Sequence, residues 1–308
     1  MHVVSGGRPA VAGAVQSADV RPAAVIGREA RLELVFESRR GRTVLAHAYA
    51  EPPFRVGRVY HAGGAAQLIL GCTGPGVFAG DALRQDVRAA RGARVVLLSQ
   101  SALQIHPAAA ELPASIDHTY VVDDDAELQC QWDAVIPFAG ARLVQRFAID
   151  VAASGRLYWG DALMAGRVRR GEAWQFESLA HELRLRTCGA LTYLERYTLV
   201  PARRRFDSPR KSGRLAQGGP VEQTWAAGRA RYAATALVHH PRATAAAAEV
   251  LQSAMTSGAV AGVDLIAPQT IVGRIIAADG AAFSRARSAF LSQAQQVIFD
   301  APAWTARK

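Results

Sequence analysis

Eight histidines, His2, His47, His61, His106, His118, His181, His239 and His240, are scattered along the chain. None stands in an H-x-H, H-x-x-x-H or H-E-x-x-H spacing, so the sequence carries no ready-made zinc site. His239 and His240 close a strand-like run before Pro241. Neighbours on a strand point to opposite faces, so this pair is read as surface or edge histidines rather than a shared ligand set. Cys72, Cys130 and Cys188 are too far apart for a C-x-x-C site or a disulfide framework, and buried, inert thiols are expected. No serine sits in a G-x-S-x-G elbow, and Ser99 and Ser101 have no histidine and carboxylate in register. The acids that could do chemistry are Asp81, Asp123, Asp124, Asp125, Asp133, Asp161 and Glu172. Three consecutive aspartates before Ala126 make a β-turn. Asp81 and Glu172 stand out because each closes a glycine turn.

The turn before Asp81 is the most constrained stretch of the chain. Residues 71–81 hold Gly71, Gly74, Gly76 and Gly80 with Pro75 among them. Gly74-Pro75-Gly76-Val77-Phe78-Ala79 fits the G-x-G-x-x-A spacing of dinucleotide-binding loops. That spacing works only where a helix starts at the glycines and aims its amides at a pyrophosphate. Residues 82–88 alternate and residues 93–98 run apolar, so the turn reads as a corner between strands. No G-K-[ST] follows either, and the nucleotide reading is set aside.

Elements must therefore position these side chains as strands. Residues 31–36 and 42–46 alternate about a polar turn at 37–41, a hairpin signature. Further strand-like runs fall at 54–60, 65–70, 120–122, 126–132, 143–149, 155–159, 174–185 and 191–199, separated by Gly, Pro and Asp. Such spacing predicts a mainly β fold of stacked or sandwiched antiparallel sheets. Residues 232–239 and 269–277 continue as strands, while 243–255 and 281–297 have helical spacing, with Asp279 placed as an N-cap. The expected organisation is a flexible extension at 1–26, a β-rich body at 27–202, a basic loop at 203–220 and a small α/β portion at 221–308. That last portion, strand–helix–strand–helix, carries two helices and packs on the body as one continuous domain. No internal repeat is legible.

Half of the 308 residues are hydrophobic and the formal net charge is +10. Lys211 and Lys308 are the only lysines; arginine supplies the rest of the positive charge. Arginine suits interfaces with carboxylates and phosphates. The one dense cluster, Arg203, Arg204, Arg205, Arg210 and Lys211, has a single aromatic, Phe206. Nucleic-acid readers want more clustering and more aromatics. An interface with an acidic partner at Arg203, Arg204 and Arg205 is preferred, with nucleic-acid binding as the rival reading. No apolar run of membrane-spanning length and no secretory leader are present, so a cytoplasmic protein is expected.

Five ordered pieces carry a family resemblance. They are residues 27–34 with 41–45, the corner 71–81 ending in Gly-Asp, residues 92–102, residues 126–142, and Gly166-Arg-Val-Arg-Arg-Gly-Glu-Ala-Trp174. Together they resemble the urease accessory protein family UreD, also called UreH, over about residues 27 to 277. The resemblance implies a non-enzymatic maturation factor with a mainly β scaffold. It implies apo-urease and UreF-like and UreG-like proteins as partners, and is compatible with a homodimer inside that complex. It implies no tightly bound cofactor, with transient Ni²⁺ passage along a polar internal route. Asp81 and Glu172 become candidate route or structural acids. The chain departs from the family at Ser101-Ala-Leu-Gln-Ile-His-Pro107, at Ala79-Gly80 and at Ala301-Pro-Ala-Trp304, which marks a divergent member.

Overall fold

The computed structural model describes residues 27–108, 112–201, 229–255 and 258–299. Arg203, Arg204, Arg205 and the basic loop, the extension at 1–26 and the closing 300–308 lie outside them. In chain order the strands are β1 Glu29–Arg39, β2 Arg42–Ala50, β3 Phe54–Ala62, β4 Ala65–Cys72, β5 Ala82–Ala89 and β6 Arg94–Ser99. They continue as β7 Leu103–Ile105, β8 Ala114–Val122, β9 Glu127–Pro137, β10 Arg142–Val151, β11 Arg156–Met164 and β12 Ser178–Thr187. The chain closes with β13 Ala190–Leu199, β14 Tyr232–His239, helix α1 Ala245–Ser253, β15 Ala259–Ala267, β16 Thr270–Ala277 and helix α2 Gly280–Ala294.

The strands form two stacked sheets. Sheet A runs β13-β12-β10-β8-β5-β1-β2, and sheet B runs β15-β16-β14-β11-β9-β6-β4-β3 with β7 beside β9. The mainly β, stacked-sheet expectation with two helices describes this architecture, but the pairing differs at its centre. From β4 to β12 successive strands alternate between the sheets, apart from short β7, so each pairs in parallel with strands one coil away. Antiparallel ladders occur only toward the ends, β1–β2 and β3–β4 on one side and β12–β13, β11–β14, β14–β16 and β15–β16 on the other. The hairpin logic failed in the middle because a four-residue turn that crosses between layers looks, in sequence, like one that returns within a sheet. Three such crossings, 90–93, 123–126 and 152–155, close with the same bond: Ala93 N to Ala90 O, Ala126 N to Asp123 O and Gly155 N to Ala152 O, at 2.9, 3.1 and 3.0 Å. The coil thus repeats in space without a residue-level repeat.

Apolar side chains fill the space between the sheets in two blocks. One, around Phe36, Leu97, Leu128, Phe147 and Trp159, lies toward the tight turns. The other, around Val77, Ile105, Leu143, Phe176 and Leu179, lies toward the glycine corner. A third block packs α1 and α2 on the outer face of sheet B. Thr244 caps α1, and Asp279 caps α2 as expected, its carboxylate accepting from Ala281 N and Ala282 N at 3.0 and 2.8 Å. β15 went unseen in the sequence because its alanines and glycine carry little strand signal. Trp174 and Phe176, expected to open a strand, are buried in the turn before β12.

Candidate functional site

The glycine corner behaves as a β-to-β turn, with β5 rather than a helix after it. Gly74 and Gly76 take φ of 104° and 134°, a region closed to most side chains. Asp81 is buried and locks the corner from inside. Its Oδ1 accepts from Arg28 N and its Oδ2 from Phe78 N, both at 2.9 Å. Glu172 holds Arg167 in a two-point fork at 2.7 and 2.5 Å and accepts from Ala139 N at 3.4 Å. Its carboxyl is held below the usual range chiefly by the Arg167 hydrogen bonds. The Arg167 guanidinium lies 4.0 Å over Phe138, whose edge meets His106, and His106 stacks on exposed Phe78 at 4.4 Å. Asp81 and Glu172 thus brace neighbouring loops and are not brought together.

Behind the corner, a cavity of about 170 Å³ opens between the sheets, touched by Gly74, Gly76, Gln85, His118, Gln145 and Asp161. It is one end of a polar layer separating two of the apolar blocks. On the inward face of sheet A the layer holds Gln85, His118, Gln145, His181, Glu195 and Tyr197. On sheet B it holds the neighbours Asp161, Thr235 and Arg274. Each stands where strand alternation calls for a core side chain. Gln85 Nε2 donates to the Tyr120 hydroxyl at 3.1 Å, and that hydroxyl lies 3.0 Å from His118 Nδ1. Gln145 Nε2 lies 2.6 Å from His181 Nδ1, and His181 stacks on Tyr197. Glu195 accepts from Tyr193 OH at 2.9 Å and Thr235 Oγ1 at 3.2 Å, and Arg274 approaches it at 3.5 Å.

Burial sets the charge states of this layer. It pushes His118 down to about 3 and His181 down to about 4, so both imidazoles are neutral at pH 7. It pushes Asp161 up to about 7, with neighbouring Glu195 adding to the rise. The buried Trp132 Nε1, Gln145 Oε1, Trp159 Nε1 and His181 Nε2 have no hydrogen-bond partner. The two indoles stand near the Tyr120 hydroxyl without good bonding geometry to it. Unpaired buried polar atoms cost roughly 1–3 kcal/mol each, so a layer that retains several is built to be wetted or to take a guest. Neutral imidazoles, amides and an acid that burial keeps part-protonated near pH 7 suit a borderline divalent cation held weakly. Among the described residues, no three His, Cys, Asp or Glu side chains are grouped to cage a metal ion.

Residues 28–308 match the UreD urease accessory protein family model. The chain belongs to that family. It is 34% identical over 150 residues to the urease accessory protein UreD of Lysinibacillus sphaericus, a stretch covering 48% of this chain and 56% of that protein. The likeness to UreD of Sporosarcina pasteurii is 34% over 145 residues, 46% of this chain and 56% of the relative. For UreD of Sorangium cellulosum it is 31% over 176 residues, 57% and 56% respectively. The aligned stretch thus spans little more than half the length of these relatives.

Several residues stand differently from their sequence reading. His239 and His240 are buried, not at the surface: His239 Nδ1 lies 2.9 Å from Thr270 Oγ1, and His240 Nδ1 accepts from Arg242 N at 3.0 Å. Cys130 is buried, and burial drives its thiol well up, but Cys72 is half-buried and Cys188 exposed. Asp161 was one acid among several, and Glu195, His118, His181, Gln85 and Gln145 were not singled out as a set. Among the described residues no helix is long and apolar enough to cross a membrane.

Proposed function

We propose that this chain is a non-enzymatic urease maturation factor. It binds apo-urease together with UreF-like and UreG-like proteins and promotes nickel insertion. The supporting observation is the polar layer between two otherwise apolar sheets, spread over two adjacent rows of sheet A and running from the cavity behind the glycine corner to Arg274 at the far margin. Nickel is the cargo of this layer. Asp161 and Glu195 supply the negative charge, and neutral His118 and His181 supply weak nitrogen donors. A passing cation favours ionised Asp161 and so displaces its proton. Asp81 and Glu172, the acids expected on the route, serve it in this reading by holding the loops at its mouth. Arg203, Arg204 and Arg205 are proposed as a partner-facing surface.

The nucleic-acid alternative gains nothing from the described surface. The outer face of sheet A sets arginines against acids, as in Arg88–Asp123, Arg146–Asp117 and Arg196–Glu182, instead of leaving a bare basic stripe.

Co-expression with a urease and its accessory proteins tests the reading. Omitting this chain is expected to leave urease nickel-poor. Asp161→Asn combined with Glu195→Gln is expected to co-purify normally while urease nickel and activity fall at least tenfold. Full nickel loading without the chain, or with that double variant, refutes the proposal.

A further inference from the structure

A positive charge closes the far end of the polar layer. Arg274 on β16 donates from Nη2 to the Tyr193 hydroxyl at 2.8 Å, and that hydroxyl donates to Glu195 Oε2 at 2.9 Å. Arg274 itself stands 3.5 Å from the same carboxylate oxygen, an ion pair too long for a strong hydrogen bond. The Glu195 side chain is 9% exposed and that of Arg274 58%, so the carboxylate is fixed in the layer while its cation reaches it from the open side. Glu172, by contrast, grips Arg167 with a two-point fork. One hydrogen bond to a neutral hydroxyl and one long ion pair make a hold that releases more readily.

The neighbouring strand offers the same guanidinium a second place. β15 pairs antiparallel with β16, and Gly262 stands directly opposite Arg274. A Cβ at 262 would meet no atom within 4 Å, so the surface beside Arg274 is clear. Asp264, opposite Val272, is the diagonal neighbour beyond that gap and lies on the same face. Diagonal positions are about 7–8 Å apart, within the reach of an arginine. Asp264 is exposed and has no ion-pair partner among the described residues. The other diagonal position is Val260, 70% exposed, which offers no charge. Glu195 and Asp264 thus flank one cation, the first inside the layer and the second outside it. We propose that Arg274 is a latch on the nickel route, resting on Glu195 when the route is shut and swinging across Gly262 onto Asp264 when a cation passes. This latch rests on the maturation reading above and adds to it a residue that controls passage. In the shut position the guanidinium neutralises Glu195 and repels an arriving Ni²⁺. Paired with Asp264, it leaves the full charge of Glu195 facing the layer. The swing turns the side-chain torsions of one exposed residue and needs no movement of either sheet.

The test has two readouts on the full chain. In equilibrium dialysis against nickel chloride, Arg274→Gln is expected to bind Ni²⁺ at least fivefold more tightly than the unaltered chain, because the competing cation is gone. In reconstitution with apo-urease and the UreF-like and UreG-like proteins, Asp264→Asn is expected to slow urease nickel loading at least fivefold while leaving the melting temperature of the free chain unchanged. Adding Arg274→Gln to Asp264→Asn is expected to restore the rate, since a latch that is absent needs no second resting place. Unchanged nickel binding by Arg274→Gln, loading by Asp264→Asn at the unaltered rate, or a defect that the second change fails to relieve each overturns the latch and leaves the maturation reading standing. Should Arg274→Gln not fold, the Asp264→Asn rate decides alone. Urease that loads as fast without the chain overturns the maturation reading, and the latch with it.

Discussion

Asp161→Asn separates the cost of a buried carboxylate from its use. Burial, with Glu195 nearby, lifts Asp161 from 3.8 to about 7. Between those values the folded chain keeps a proton that the unfolded chain has released. Stability is therefore lost as pH rises from about 4 to about 7 through this group. At ~1.4 kcal/mol per tenfold, the gap gives an upper limit of ~4 kcal/mol, reached above pH 7. Asp161 borders a cavity roomy enough for water, and solvation of the carboxylate there would reduce this cost, so a difference of ~2 kcal/mol is expected. Asparagine keeps the acceptor for Thr235 N, which lies 3.3 Å from Asp161 Oδ1, and cannot ionise. Urea unfolding followed by tryptophan fluorescence should show the two proteins alike at pH 4 and the variant more stable at pH 8. Urease nickel loading should meanwhile decline, because the layer has lost a negative charge. A flat difference between pH 4 and 8, or a variant less stable at pH 8, would refute the assignment of a strained acid here.

Asp81→Ala should cost roughly 2–4 kcal/mol in urea unfolding, since two backbone donors lose their acceptor. Gly76→Ala should lower stability by at least ~2 kcal/mol. Its φ of 134° disfavours a side chain, and the new Cβ would press on the Gln104 carbonyl oxygen. Asp279→Ala should cost ~1 kcal/mol by uncapping α2, and Asp279→Ser should recover most of it in the same assay.

The strands were legible because their alternation is strong: residues 31–36 lie within β1, 143–149 within β10 and 191–199 within β13. Both helices were legible from their spacing, with Asp279 at its cap. The parallel coil was not, because alternation reports which face a residue takes and says nothing about which sheet its strand joins. The polar layer did leave a trace. Leu83-x-Gln85-x-Val87, Ile116-x-His118-x-Tyr120, Leu143-x-Gln145-x-Phe147, Leu179-x-His181-x-Leu183 and Tyr193-x-Glu195-x-Tyr197 each set one polar residue inside an inward-facing apolar or aromatic series. Any one of these passes for an irregularity. Only the register, which sets Gln85 opposite His118 and Gln145 opposite His181 on two adjacent inward rows, with Glu195 on the first row, turns five irregularities into a layer. Asp81 shows the opposite: its glycine turn drew notice, and its carboxylate spends one oxygen on the turn and the other on Arg28 N ahead of β1.

The coil also divides labour between its two rims. Between β5 and β11 the crossings from sheet A to sheet B are the uniform four-residue turns, bonded to one another, as where Asp125 N donates to Ser154 Oγ at 2.9 Å. Crossings from sheet B to sheet A carry the glycine corner, the Phe78–His106–Phe138 stack and the Arg167–Glu172 fork. One margin therefore works as a spine that keeps successive coils in step, and leaves the opposite margin free to change its loops. Relatives could acquire new partners along that second margin by altering loop length alone, with every strand still in its place.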